Sequence, residues 1–306
     1  MEQGEQIAHP KISVVIASVN GPNCTDECLE ALEKQTLKGQ AEVIVVDCCG
    51  DGVAQLIRQK YPQTRLIRFA ERKTIPELRA IGMKNARGDI IVITEDHCLA
   101  EPHWYERMLA AHQEHYGAIG GAVENDVSIK RVVDWAVYFC EYSKYLNPVP
   151  AGEVADIPGN NTSYRREFLA HIADMLEEGT FWENFLNGRL QEKGIKLYSD
   201  PSIIVYHKKV FGFRYFVSQR YHYGRSYAGM RLGGAPYWKR LIYAAFCPLL
   251  PVLLIGRIGW RVWTKKRHRD RFLKSFPFLG LFTFCWAWGE FVGYLFGPGE
   301  SLLKVE

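Results

Sequence analysis

Between Lys11 and Asp96 the chain repeats one pattern, a short run of β-branched residues followed by a stretch with helical spacing. The runs Ile12–Ser18, Glu42–Asp47, Thr64–Phe69 and Asp89–Thr94 predict strands. The stretches Thr25–Gln35, Val53–Lys60 and Ile75–Ala86 predict helices. Apolar strands alternating with helices form an α/β domain, a mostly parallel sheet covered by helices on both faces. Open sheets of this kind bind ligands at the carboxyl ends of their strands. Three of those ends are polar here: Asn20, Asp47 and Glu95-Asp96-His97. Further on, helices over Trp104–Tyr116 and Glu183–Lys193 mix with short strands near Ala118–Val123 and Ser202–His207. There is no P-loop, no HExxH and no GxGxxG, and Gly117-Ala-Ile-Gly-Gly121 is too weak a match for a dinucleotide site.

At 306 residues and 47% hydrophobic the chain has ample material for a core without staples. Its eight cysteines show no regular framework. Cys24, Cys28, Cys48 and Cys49 lack the paired CxxC spacing of a zinc site, so reduced thiols and a reducing cytosol are the expectation. Residues Met1–Pro10 are polar and short, without the apolar core of a signal peptide.

Carboxylate and imidazole two positions apart on an extended segment project to one side. Glu95 and His97 are so placed, and there they can hold a divalent cation bridging a diphosphate. Around them the sequence resembles the family-2 glycosyltransferases, whose nucleotide-sugar-binding domain is called GT-A. The resemblance runs from Lys11 to about Arg225. Ile12 to Asn20 looks like the family's first strand and donor-binding turn, which implies donor contacts at Ala17, Val19 and Asn20. Val45-Val-Asp47 followed by Cys48-Cys-Gly-Asp51-Gly52 is similar to the family's VDDGSxDG segment, which implies that Asp47 meets the base. Arg79, Gly82 and Ala86-Arg-Gly-Asp89-Ile-Ile match the RNxGxxxAxGDII stretch, which implies that Arg79 lies on the donor side. Ile93-Thr-Glu95-Asp96-His97-Cys98, then Pro102 and Trp104, stands in place of DxDCxPxPxW, which adds Glu95 and Asp96 to the donor side. Ile157-Pro-Gly-Asn160-Asn161-Thr-Ser-Tyr164-Arg165-Arg166 is similar to the acceptor-side GGNxAxRR loop.

Two departures from the family pattern matter. The metal motif reads Glu-Asp-His, with His97 where a carboxylate usually sits. Imidazole suits Mn²⁺ better than Mg²⁺, so the resemblance implies a divalent cation, Mn²⁺ in preference to Mg²⁺, held by Glu95, His97 and His207. His207 matches a family histidine that completes the coordination. The family base is an acidic pair followed, six residues after its second member, by Arg or Lys. Glu183 and Arg189 have that spacing, and Trp182 replaces the first acid, which implies that Trp182 and Arg189 lie on the acceptor side. Glu183 is then the base that takes the acceptor proton, with Glu177 and Glu178 as fallback candidates. On the residues alone, Glu183 also reads as a carboxylate favoured at a helix start near Phe181.

The expected organisation is a polar tail over 1–10, a GT-A domain over 11–231 and membrane-associated helices over 232–306. Arg214, Arg220, His222, Arg225 and Arg231 lie among aromatic residues in Phe211–Arg231. They read as a basic loop over a diphosphate or at lipid headgroups, rather than a nucleic-acid surface. Leu241–Gly256 is short for a span, and Pro248 and Pro251 would break it. Phe276–Gly297 is long enough to cross. Between them Arg257, Arg261, Lys265, Lys266, Arg267, Arg269, Arg271 and Lys274 form a basic run suited to anionic headgroups. Two full crossings would put that run on the far side from the catalytic domain, against the positive-inside tendency. The first segment is therefore expected to be re-entrant or interfacial, with the catalytic domain facing the cytoplasm.

The implied activity is inverting transfer of a sugar from a nucleotide-diphosphate donor to an acceptor hydroxyl, and a lipid-linked acceptor would suit the C-terminal segment. A sugar nucleotidyltransferase would need a basic loop after the first strand, and Val19-Asn-Gly-Pro-Asn-Cys24 lacks Lys and Arg. The non-enzyme alternative, motivated by Glu-Asp-His, is a membrane-bound scaffold that keeps the fold without turnover.

Overall fold

The computed structural model describes residues 9–113, 116–179 and 182–305. Most of the expected N-terminal tail, and Phe181 before the Glu183 helix, lie outside these residues. The strands are β1 (Ile12–Ser18), β2 (Ala41–Asp47), β3 (Arg65–Arg68), β4 (Ile90–Glu95), β5 (Cys98–Ala100), β6 (Ala118–Asn125), β7 (Gly152–Val154), β8 (Asn161–Arg165) and β9 (Leu197–His207). The helices are α1 (Pro22–Glu33), α2 (Asp51–Lys60), α3 (Ile75–Asn85), α4 (Trp104–Ala111), α5 (Val132–Tyr142), α6 (Ala173–Glu178), α7 (Glu183–Glu192), α8 (Phe213–Arg231), α9 (Tyr237–Phe246), α10 (Leu250–Lys265) and α11 (Arg269–Phe296).

Two compact units emerge: Met1–Glu124 with Tyr145–Lys208, and Asn125–Lys144 with Lys209–Glu306. The first is an α/β unit built on one sheet of order β3-β2-β1-β4-β8-β6-β9-β5, with β7 paired to β9. The β3-β2-β1-β4 half is parallel and is the half that the β-branched runs predict. All seven residues of β1 are buried, as a strand covered on both faces requires. The other half is antiparallel, through β4–β8, β6–β8 and β5–β9.

The second unit is helical. The expected domain boundary after Arg231 falls instead after Lys208, and the cause is packing. Far from being a loop, the basic stretch beyond Phe211 is helix α8, and it lies against α11. Gly289 and Gly293, one turn apart on α11, let the two backbones touch: a side-chain carbon at either would collide with the α8 carbonyls of Tyr221 or Arg225. Small residues at this spacing are a device of close helix pairs in apolar surroundings. Helix α5 joins the same unit, where Ser275 Oγ donates to the Val132 carbonyl at 3.2 Å.

The apolar C-terminal segments are longer than expected. Pro248 does not end the first one: it sits at the start of a 3-10 turn, Cys247–Leu249, and Pro251 at the start of α10. A first-turn proline sacrifices no helical hydrogen bond. The helical stretch Tyr237–Lys265 thus runs 29 residues, and α11, starting at Arg269 rather than Phe276, runs 28. Both are long and apolar enough to cross a membrane. The first stretch turns many large side chains outward, Val252 being 75% exposed, Trp260 72% and Phe246 60%, whereas α11 buries Leu279, Phe282 and Tyr294.

Candidate active site

The strand order places a topological switch between β1 and β4, since β2 and β3 lie on one side of β1 and β4 on the other. Ala17 of β1 stands in register with Glu95 of β4. Just beyond this pair, the Asp96 carboxylate accepts from the Val19 and Asn20 backbone N–H groups at 2.9 and 2.8 Å, and from Asn20 Nδ2 at 2.6 Å. Asp96 is fully buried. Burial opposes its charge, but His97 and Asn20 outweigh it and hold the carboxyl below its ordinary range. Its geometry is that of a tie fixing the turn after β1, with Val19 and Asn20 on the outer side.

Glu95 faces a different set of partners. Arg79, buried on α3, donates Nη2 to Glu95 Oε1 at 3.0 Å and Nη1 to Glu183 Oε1. One guanidinium therefore joins the end of β4 to the first residue of α7. Glu183 Oε2 lies beside Gly159, where an added side-chain carbon would come within 2.7 Å of it. The neighbouring Asn160 donates Nδ2 to Glu95 Oε2 at 3.3 Å and to Cys98 Sγ at 3.4 Å, and its Oδ1 makes no hydrogen bond to the described residues.

His97 and His207 meet as the resemblance implies, their rings edge to face with centroids 4.8 Å apart. Pairing of β5 with β9 brings this about, with Cys98 opposite His207. His97 Nε2 lies 3.3 Å from Glu95 Oε2, and Nδ1 lies 3.0 Å from Asp96 Oδ1. Burial pushes the imidazole down, yet its bonds to Asp96 and Glu95 prevail and raise it to about 8. Glu95 resists burial in the same way and is held well below the usual carboxylate range by His97 and Arg79. Donor atoms of Glu95, His97 and Cys98 all lie within 4.8 Å of one another. Cys98 is the member of this set that the sequence reading left out. Its position next to His97 in the motif was the available signal.

Asp47, at the end of β2, accepts from the Cys49 N–H at 3.2 Å, and its Oδ2 makes no hydrogen bond to the described residues. Burial raises this carboxyl above its ordinary value. Other expected residues lie elsewhere. Asn161 is buried and its amide is spent inside the sheet, donating to the Ala122 and Ile203 carbonyls and accepting from Trp104 Nε1. A side chain so occupied clips the sheet together and has no free group for an acceptor. Trp182 is buried at the N-cap of α7. Arg189 points away from Glu183, toward Asp174 and Glu192 at 3.5 and 3.6 Å, because six residues along a helix turn a side chain roughly 120° around the axis. Glu177 pairs with Lys84 at 2.8 Å and is largely exposed, as is Glu178.

The family model for glycosyl transferase family 2 matches residues 13–173, more than half of the chain. The chain belongs to glycosyl transferase family 2. The match takes in the strand ends at Asn20, Asp47 and Glu95-Asp96-His97 and stops short of Glu183 and His207. Among solved structures, the chain is similar to S. aureus TarS. A crystal structure of TarS 1–349 in complex with UDP-GlcNAc superposes with a TM-score of 0.52 at 16% identity, covering 66% of this chain and 59% of that one. A second TarS crystal structure gives 0.50 at 16%, covering 69% of this chain and 38% of that one. The chain thus spans less than two thirds of either TarS chain. At this identity the likeness is one of fold, and the α/β unit has the GT-A architecture that the motifs imply. No curated protein matches the chain in sequence.

Proposed function

We propose that this family-2 member transfers a sugar from a nucleotide-diphosphate donor to an acceptor hydroxyl at a membrane, with inversion at the anomeric carbon. The observation that carries the reading is the Arg79 bridge, which joins Glu95 to Glu183 at the switch point of the sheet, beside the His97–His207 pair that Glu95 also meets. Asp47 Oδ2, buried and without a hydrogen-bond donor among the described residues, suits the N–H of a base. The turn Val19-Asn20, held by Asp96, lines the donor side.

The oxygen, nitrogen and sulfur donors of Glu95, His97 and Cys98 fit a divalent transition ion, with His207 beside them. Glu95 and His97 would hold it, with Cys98 or the adjacent His207 completing the set, and it would supply positive charge to the departing diphosphate. In the transfer, the acceptor oxygen bonds to the anomeric carbon as the bond to the diphosphate oxygen breaks, its electron pair leaving with the nucleotide. The acceptor proton passes to Glu183. Oε1 is engaged by Arg79, so Oε2 is the accepting atom. UDP-GlcNAc, the compound bound in the TarS complex, is the first donor to try.

A lipid-borne acceptor suits the helical unit, whose exposed tryptophans and leucines match a bilayer better than water. The test is a donor screen on the full chain, following nucleoside diphosphate release with Mn²⁺, Mg²⁺ or chelator. Release that depends on acceptor and cation supports the reading. A chain that releases no diphosphate from any nucleotide sugar would be the non-catalytic scaffold.

A further inference from the structure

Helices α8 and α11 run side by side in the same direction. Phe213 meets Phe278 and Phe282 with ring centroids 6.0 and 6.2 Å apart, and Tyr223 meets Trp286 at 5.2 Å. Further along, Arg225 Nε donates to the Gly297 carbonyl at 3.2 Å. Gly289 and Gly293 bring the two backbones into contact between these points. Whatever depth α11 takes in a membrane, α8 must therefore share. Yet α8 carries Arg214, Arg220, Arg225 and Arg231, one every five or six residues from end to end. Charged side chains are costly at the centre of a bilayer even when they are partnered. A crossing by α11 would draw this whole ladder through the hydrocarbon.

The C-terminal turn points the same way. Beyond Gly297 the chain folds back, and Ser301 Oγ lies 3.1 Å from His222 Nδ1, halfway along α8. The turn carries Glu300 and Lys304, both exposed. Polar residues thus stand beside the helix pair at mid-length.

The stretch Tyr237–Lys265 is unsuited to crossing for a different reason. Its uncharged part, Leu241–Gly256, rises only about 24 Å as a helix, short of the ~30 Å hydrocarbon core. Arg257, directly after it, is exposed. The apolar side chains are nonetheless turned out, with Leu241, Ile242, Phe246, Leu249, Val252 and Leu253 all exposed. Trp238 and Trp260, 64% and 72% exposed, flank this row, and Lys239 and Lys266 stand exposed near its two ends. Tryptophan settles at headgroup depth, and lysine is drawn to anionic headgroups.

We infer that the helical unit lies in one leaflet of a bilayer, its apolar row on the acyl chains, and that neither α11 nor Tyr237–Lys265 crosses. The inference rests on the membrane reading of the unit and is independent of sugar transfer. It leaves the loop between α10 and α11, and the C-terminal turn, on the aqueous side that holds the α/β unit.

The experiment uses sealed vesicles from cells producing the full chain, with the α/β unit outward. A membrane-impermeant amine reagent is applied before or after detergent opens the vesicles, and labelled lysines are read by peptide mass spectrometry. Lys193 reports the α/β unit, Lys266 the loop and Lys304 the C-terminal turn, and all three are exposed. Each should be labelled to the same extent before and after opening. A crossing by α11 would leave Lys304 unlabelled until detergent is added, and a crossing by Tyr237–Lys265 would do the same to Lys266. Either result overturns the inference. Phe246→Glu/Val252→Glu changes two outward side chains and should keep the circular dichroism spectrum. Losing the burial of two such side chains should cut the fraction retained after a high-salt wash about tenfold or more. An unchanged fraction would take the row off the acyl chains and overturn the inference too. Failure of the membrane reading itself shows separately, as release of the wild-type chain by high salt without detergent. Release as a dimer would mean that a second copy covers the row.

Discussion

At the carboxyl ends of β1 and β4, the α/β unit shelters Asp96, Arg79, His97 and His207 from water. Along α9 and α10, the helical unit turns Trp238, Phe246, Val252 and Trp260 outward. The first arrangement is costly unless every charge has partners. The hydrogen bonds of Asp96 and the two-sided reach of Arg79 supply them. The second is costly in water and cheap in a hydrocarbon. One chain therefore contains two solvents' worth of design, and the two units should answer differently to the same class of perturbation.

The largest expected effect is at Glu183. Glu183→Gln keeps shape while removing the proton-accepting oxygen, and turnover should fall ~10²–10⁴-fold with donor affinity nearly unchanged. Glu177→Gln and Glu178→Gln, on exposed side chains, should stay near wild type. Turnover that survives in Glu183→Gln would remove the base from α7. A lesser effect, of the opposite kind, is expected in the helical unit. Gly289→Leu pushes α11 off the Tyr221 carbonyl, and such overpacking costs ~1–3 kcal/mol. Unfolding followed in detergent should shift accordingly while donor affinity holds. Equal loss of donor affinity would mean that the units do not respond separately.

A similar magnitude is expected from pH. His112 is buried against Ser163, and burial together with Arg165 lowers its imidazole to about 3. Folding keeps it neutral, so its stabilising share is complete above the unfolded value of ~6.5 and drains away as pH falls toward 3. Between pH 7 and pH 5 that amounts to about 2 kcal/mol. His112→Gln should flatten the pH dependence of unfolding in this window, and an unchanged slope would assign it to other groups. The smallest expected effect is metal choice. His97→Asp restores an oxygen donor and should bring the Mg²⁺ rate closer to the Mn²⁺ rate by several-fold. Identical ratios in both proteins would take His97 out of the ligand set.

The parallel half of the sheet was readable because Ile12–Ser18 and Asp89–Thr94 are apolar on both faces. The antiparallel half was not. Asn161-Thr-Ser-Tyr-Arg165 looks like a polar loop, yet it is buried strand β8, its polar groups satisfied across the sheet by bonds no spacing reveals. The meeting of His97 with His207 followed from the family pattern. Arg79 was placed on the donor side by its motif, but its second bond, to a residue 104 positions later, depends on the finished fold. Arg189 misled because six positions along a helix turn a side chain roughly 120° around the axis, so the spacing that marks the motif does not bring Arg189 to Glu183; it meets Asp174 and Glu192 instead. In the helical unit, Pro248 and Pro251 read as breaks, whereas each occupies a turn start that tolerates it.

The Arg79 bridge also has a bearing on the order in which the molecule is made. Its two ends leave the ribosome far apart in time, and the turn after β1 must wait for Asp96, 77 residues downstream of Val19. Contacts of such long range delay folding, since the intervening loop must close before they form. Strands β1 to β4 can pair early, but Arg79 and Glu95 remain without Glu183 until α7 emerges. Until α7 emerges the parallel half of the sheet can be paired while the charge network is incomplete, and β9, which follows α7, has yet to join. Synthesis of α9 to α11 then delivers the apolar surface only after every member of the candidate site has been translated.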